Sequence, residues 1–186
     1  MIHPTRIVRF NFMAMFLGTS IAIAVDRAMQ NFSWPLLFGF AAFILQSLNF
    51  FHGKVITLED EHYNAALINR PNLALADFAM NTSLFFSLAV MGFAVVKPVG
   101  FLIASIVVRI LDIPLVLLTR SVAVQPQLRK AHRFWLIIDL IAAVYLAILW
   151  LILTTSPQSI LRYSSVLYLA VLIIILVDIG VLDEVL

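Results

Sequence analysis

The chain contains no cysteine, so disulfides, thiolate nucleophiles, iron–sulfur clusters and Cys-type zinc sites are excluded. Charge is almost as scarce. Asp, Glu, Lys and Arg make up 12% of the 186 residues, against roughly a quarter in soluble domains. A formal charge of +2, with no basic tract interleaved with aromatics, argues against a nucleic-acid partner. Catalytic signatures are missing as well, since neither an HExxH motif nor a GxSxG elbow occurs. Glu59 and His62 in "EDEH" make one E-x-x-H, whereas carboxylate di-metal bundles use two. That tract reads as a solvated acidic face, and an enzyme, a metal or a cofactor is not expected.

What is present is hydrocarbon. Hydrophobic residues account for 63% of the chain, and the mean hydropathy is +1.06. Six apolar runs stand out: Phe10–Val25, Trp34–Phe51, Leu73–Val96, Val99–Thr119, Phe134–Thr154 and Ser164–Leu182. Each is close to the length needed to cross about 30 Å of hydrocarbon as helix. None shows the short alternating pattern of a transmembrane strand. The expected fold is therefore all-α and polytopic, a single six-helix transmembrane domain over residues 1–186, with the lipid bilayer as its first partner.

Short linkers join most of these runs. The longest, "HGKVITLEDEHYNAALINRPN", is expected to carry a short interfacial helix. Another, "RSVAVQPQLRKAHR", is basic and interrupted by Pro126. With an inside N-terminus, eight basic residues face the cytoplasm: Arg6, Arg9, Lys54, Arg70, Arg120, Arg129, Lys130 and Arg133. Only Arg27, Lys97 and Arg162 face outward. The positive-inside rule then puts both termini in the cytoplasm of a cell inner membrane. Arg6 and Arg9 before an apolar stretch and "AIA" also fit a secretory signal, but the segment is read here as the first transmembrane helix. Pro35 and Pro98 suit the first turn of their helices, whereas Pro114 falls inside the fourth span and should bend it.

Against this background the intramembrane polar residues matter. Arg109 and Asp112 interrupt "VVRILDIPLVLLTR", with Arg109 near the bilayer middle and too deep to snorkel. It needs a carboxylate partner or water. Asp112 is nearest by helical spacing, with Asp77 and Asp139 as the other candidates. Asp77 and Asn81 lie a turn apart on the third span, and Gln46, Asn49 and His52 recur every third residue on the second. Asp77, Asp139 and Asp178 read individually as partly solvated caps and anchors near span ends. Most of these residues fall in the cytoplasmic half, which suggests a polar vestibule opening inward. With no Lys inside a span as drawn, retinal binding is unsupported, and one Arg cannot make a voltage sensor. Ala14, Gly18 and Ala22 form a small-residue stripe on the first helix, suited to tight packing within one chain or between copies.

The order of features resembles the bacterial six-helix relatives of the lysosomal potassium channel. In "RIVRFNFMAMFLGTS", Arg6 is followed by Phe10 and Asn11, with Ser20 at the family's Thr position. His52 in "SLNFFHG" and Asn81 in "DFAMNTS" occupy places comparable to the family's His and Asn. Phe12 stands where the family has its signature Asp, and Asn49 where it has Trp. The resemblance implies a homotetrameric channel for monovalent cations, potassium in that family. Its pore would be lined by the first helix, with an apolar constriction at Leu17 that gates by dewetting. Arg6, Asn11, His52 and Asn81 would brace the pore helix. A homo-oligomeric cation channel is thus one expectation. A small proton- or ion-coupled transporter built on Arg109, Asp112, Asp77 and Asp139 is the other, although no inverted repeat is evident.

Overall fold

In the computed structural model, the backbone is described for residues 4–155 and 164–185. Seven helices are formed among those residues, and no strand. They are α1 (Pro4–Gln30), α2 (Trp34–Glu59), α3 (Glu61–Asn69), α4 (Pro71–Ala94), α5 (Pro98–Val122), α6 (Pro126–Thr154) and α7 (Ser164–Val185). Five are long and apolar enough to cross a membrane, namely α1, α2, α4, α5 and α6. The sixth expected run is α7, apolar over Ser164–Gly180. Arg162 and the rest of 156–163 lie outside the described residues, as do the side chains of 1–7, 153 and 181–186.

Proline sets several helix starts. Pro35, Pro71 and Pro98 occupy the first turn of α2, α4 and α5, where a missing N–H leaves no hydrogen bond unmade. Pro126 opens α6, so the "basic linker" is helical apart from the short stretch between Val122 and Pro126. Pro114 lies inside α5, yet the helix runs through it without interruption. The interfacial helix expected in the longest linker is α3. Asp60 caps it by accepting from the backbone N–H of His62 and Tyr63. This cap separates Glu59 from His62, which consequently belong to different helices.

Polarity is arranged for a lipid solvent. Ile137, Leu140, Ile141, Val144, Ile148 and Leu151 form an exposed apolar face along α6. Arg109, Asp139, Asp178, Gln46, Ser47 and Ser105 are buried. An aqueous surface does not carry so continuous an apolar band, whereas hydrocarbon demands one. The chain is a polytopic, membrane-embedded helical protein.

α5 is the central element. It packs against α2, α3, α4, α6 and α7, and half of its apolar stretch is buried against 17% for α1 and α6. Around it, Phe43, Phe85, Leu84, Leu88, Met91 and Phe101 fill the core. At the end away from α3, the Tyr168 ring lies edge-on to Phe101 and its hydroxyl donates to the Val95 carbonyl. Two glycines make this packing possible. A Cβ at Gly39 would enter the Tyr168 ring, and one at Gly92 would sit 2.8 Å from the Ser20 carbonyl oxygen.

Gly18 is the opposite case. A Cβ there meets nothing within 4 Å, and Gly18 and Ala22 are exposed. The small-residue stripe of α1 is therefore not the seam of packing within the chain. Gly39→Ala and Gly92→Ala are expected to destabilise the bundle by about 1–3 kcal/mol, the usual scale for overpacking. Thermal unfolding in detergent should register both losses and leave Gly18→Ala at or above the parent.

Candidate functional site

Arg109 lies near the middle of α5 and is 2% exposed. Its Nη1 donates to Asp139 Oδ1 on α6 at 2.7 Å and to Asp178 Oδ2 on α7 at 2.8 Å. Asn49 on α2 also donates to Asp178 Oδ2, at 3.0 Å, and the guanidinium rests 5.7 Å from the Phe50 ring centroid. One nitrogen thus ties three helices together, and a fourth supports the bridge.

Of the three carboxylates expected as candidates, Asp139 is a partner, whereas Asp112, the nearest by spacing, and Asp77 are not. Asp112 shares a helix with Arg109 but faces Lys54 of α2 instead, with Nζ 3.9 Å from Oδ1. A bridge to Arg109 along α5 would spend the guanidinium on its own helix, whereas Asp139 and Asp178 let it join separate ones. Neither of those two is a solvated cap, and nor is Asp77, which is buried as well. Asp139 lies well inside α6, because that helix begins at Pro126 rather than at Phe134. Asp139 and Asp178 are 1% and 3% exposed. Lys54 also changes place, since α2 continues to Glu59 and carries it inside a candidate span.

Asp112, Asp139, Asp178 and Lys54 line one small cavity of about 30 Å³, with Asn49 and His132. That is room for a water or two. The polar accounting around it is incomplete. Asp112 Oδ1, Asp139 Oδ2, Arg109 Nη2 and both His132 ring nitrogens are buried without a hydrogen-bond partner.

A second polar group lies at the α3 end of the bundle. Asp77 on α4 accepts from the Tyr63 hydroxyl and from Asn81 Nδ2, and pairs with Arg9 on α1 at 3.0 Å. Burial first, and then the Asp77 charge, push the Tyr63 phenol far above its ordinary range. It therefore remains a donor at any working pH. Beside this group runs a groove of about 470 Å³, walled by Val8, Phe12, Met13, Leu58 and Phe78. Lys54, Thr57 and Thr119 line both the groove and the small cavity.

The remaining candidates disperse. Leu17 is buried on the inward face of α1, while Asn11 and His52 are exposed. Asn81 is half-buried and serves Asp77. The Arg6 side chain lies outside the described residues; Arg9, also on α1, reaches Asp77 of α4. A bracing network of Asn11, His52 and Asn81 is not assembled within one chain. Gln46 and Asn49 turn inward and His52 outward, so the every-third-residue stripe of α2 is divided. Among the described residues, no cluster of three His, Asp or Glu side chains offers a metal site.

Sequence reasoning gave no site role to Tyr63 or His132, and it read Asp178 as a cap, Asn49 as one of a polar stripe, and Lys54 and Arg9 as cytoplasmic charges. The signal for Asp178 was its setting, a lone carboxylate in "VLIIILVDIGVL". For Lys54 it was the spacing Gln46, Phe50, Lys54, Thr57, one continuous buried face of a helix. Compared with known proteins, the chain matches no family model, no curated protein and no solved structure.

Arg109→Leu alone is expected to cost about 3–5 kcal/mol, because it strands two buried carboxylates. Adding Asp139→Asn and Asp178→Asn should restore much of the folded yield and Tm, whereas adding Asp112→Leu should not. At the α3 end, Tyr63→Phe removes a buried hydrogen bond to a charged group and should cost about 1.5–3 kcal/mol. Denaturation in detergent measures it, and an unchanged Tm would remove Tyr63 from the Asp77 network.

Proposed function

We propose that this protein is a small proton-coupled carrier of the cell inner membrane, with six spans and both termini in the cytoplasm. The observation that carries this reading is a charge imbalance in a buried place. Asp112, Asp139 and Asp178 line one cavity with Lys54, and among the described residues Lys54 and Arg109 are the cations paired with them. An uncompensated charge at membrane depth costs several kcal/mol. One proton shared by the neighbouring Asp112 and Asp139 carboxyls removes the net charge. Carboxylates crowded into one site share a proton in this way. Coupled carriers and pumps relay protons through such buried acid groups.

A second reading keeps the channel expected from the resemblance, as an oligomer conducting monovalent cations. What favours it is the outward stripe of α1, where Asn11, Gly18 and Ala22 are exposed and permit close approach of another helix. Leu17, turned into the protomer, is not available to such an inter-subunit pore as its constriction.

The two readings separate electrically. On a solid-supported membrane carrying reconstituted protein, a pH jump should give a transient current as the buried site takes up its proton. Asp112→Asn should abolish it in protein that remains folded. Equal transients in parent and variant would refute the carrier, and a sustained current under a potassium gradient would establish the channel instead.

A further inference from the structure

The groove at the α3 end is of ordinary ligand-site size, apolar along most of its wall, with a few polar groups converging on it. Most of those groups are already committed. Arg9, Tyr63 and Asn81 Nδ2 all engage Asp77. The Thr57 and Thr119 hydroxyls donate to backbone carbonyls of their own helices. Lys54 differs. Its ammonium has three donors, yet its nearest carboxylate oxygen is 3.9 Å away, beyond hydrogen-bonding distance. Both Asp77 oxygens are engaged, and the acceptor left over in the lining, Asn81 Oδ1, is neutral, so a cationic head group would find no free carboxylate there. An acidic one finds Lys54.

We propose that this groove binds an anionic amphiphile, with its acidic head on Lys54 and its chain along Phe12, Met13 and Phe78. Val8 and Phe78 are exposed at the edge of the groove, which lets a chain enter sideways from the lipid between α1 and α4. Binding is linked to the proton site, a consequence that rests on the carrier reading. Lys54 is also the ion-pair partner of Asp112. An anion that draws Lys54 away leaves Asp112 beside Asp139 and Asp178 uncompensated, and an added proton restores the balance. Anion and proton therefore bind together.

The test uses the full chain in nanodiscs of zwitterionic phosphatidylcholine, with binding counted above that of empty discs. The probe is dodecyl sulfonate, whose own charge does not titrate. It should bind, whereas dodecyltrimethylammonium and methanesulfonate should not. Lys54→Gln should weaken binding about tenfold or more, the scale of one charge-assisted hydrogen bond, and Lys54→Arg should retain it. Val8→Trp, at an exposed position, should narrow the mouth and lower affinity without disturbing the fold. Displacement of the sulfonate by dodecanoate or by dodecyl phosphate identifies the head-group class, and displacement by neither counts against the site.

The pH dependence is set by groups on every helix around Lys54: Arg9, Tyr63, Asp77, Arg109, Asp112, His132, Asp139 and Asp178. Affinity should rise as pH falls, by up to about tenfold per unit for one linked proton, and Asp112→Asn should flatten the curve. Equal binding of the cationic probe, or full binding by Lys54→Gln, overturns the site. Sulfonate binding that ignores pH overturns the linkage and leaves the site standing. Failure of the carrier reading is read separately, from the pH-jump current.

Discussion

The polar interior of this bundle depends on one guanidinium held between two carboxylates. Arg109 cannot lie at the centre of a membrane-embedded helix on its own, and its bridge to Asp139 and Asp178 fixes how α5, α6 and α7 are rotated about their axes. Apolar side chains alone would not fix those rotations, because lipid tails compete for hydrophobic surface as well as any neighbouring helix does. The ion bridge supplies a direction that dispersion lacks. Asn49 extends the constraint to α2, the helix whose Lys54 faces Asp112 of α5.

The two polar regions divide the work between them. Asp77 has every oxygen engaged by Arg9, Tyr63 and Asn81, so it behaves as a closed joint that binds α1, α3 and α4. The Asp112–Asp139 region has acceptors left over. A satisfied network rigidifies, whereas a partly satisfied one is where ligands, water or protons act. Lys54 lines both regions and is the residue through which an event in one reaches the other.

Architecture was plain in the sequence because hydrocarbon length is a strong signal and prolines mark helix starts. Pro35 and Pro98 begin their helices as their positions require, and the short α3 follows from a capping Asp60 inside an otherwise polar linker. The Arg109 partners were less legible. Helical spacing reports neighbours on the same helix, so it put Asp112 ahead of Asp139, while the actual contacts come from Asp139 of α6 and Asp178 of α7. Span ends drawn by hydropathy also stopped at the first charge. That placed Lys54 in a loop and Asp139 near an end, although both helices continue beyond those limits with their charged residues turned inward. That Leu17 lies on the buried face of α1 was illegible for a related reason, since composition cannot say which face of that helix meets the protomer.

The Arg109 bridge also has a schedule. Its partners are 30 and 69 residues further along the chain, so during synthesis α5 emerges while its arginine has nothing to pair with. Until α6 arrives, that helix is a poor candidate for release into lipid. It must wait beside the insertion machinery or at the interface, where the guanidinium stays hydrated. Full membrane insertion of the middle of this protein is thereby made conditional on its end.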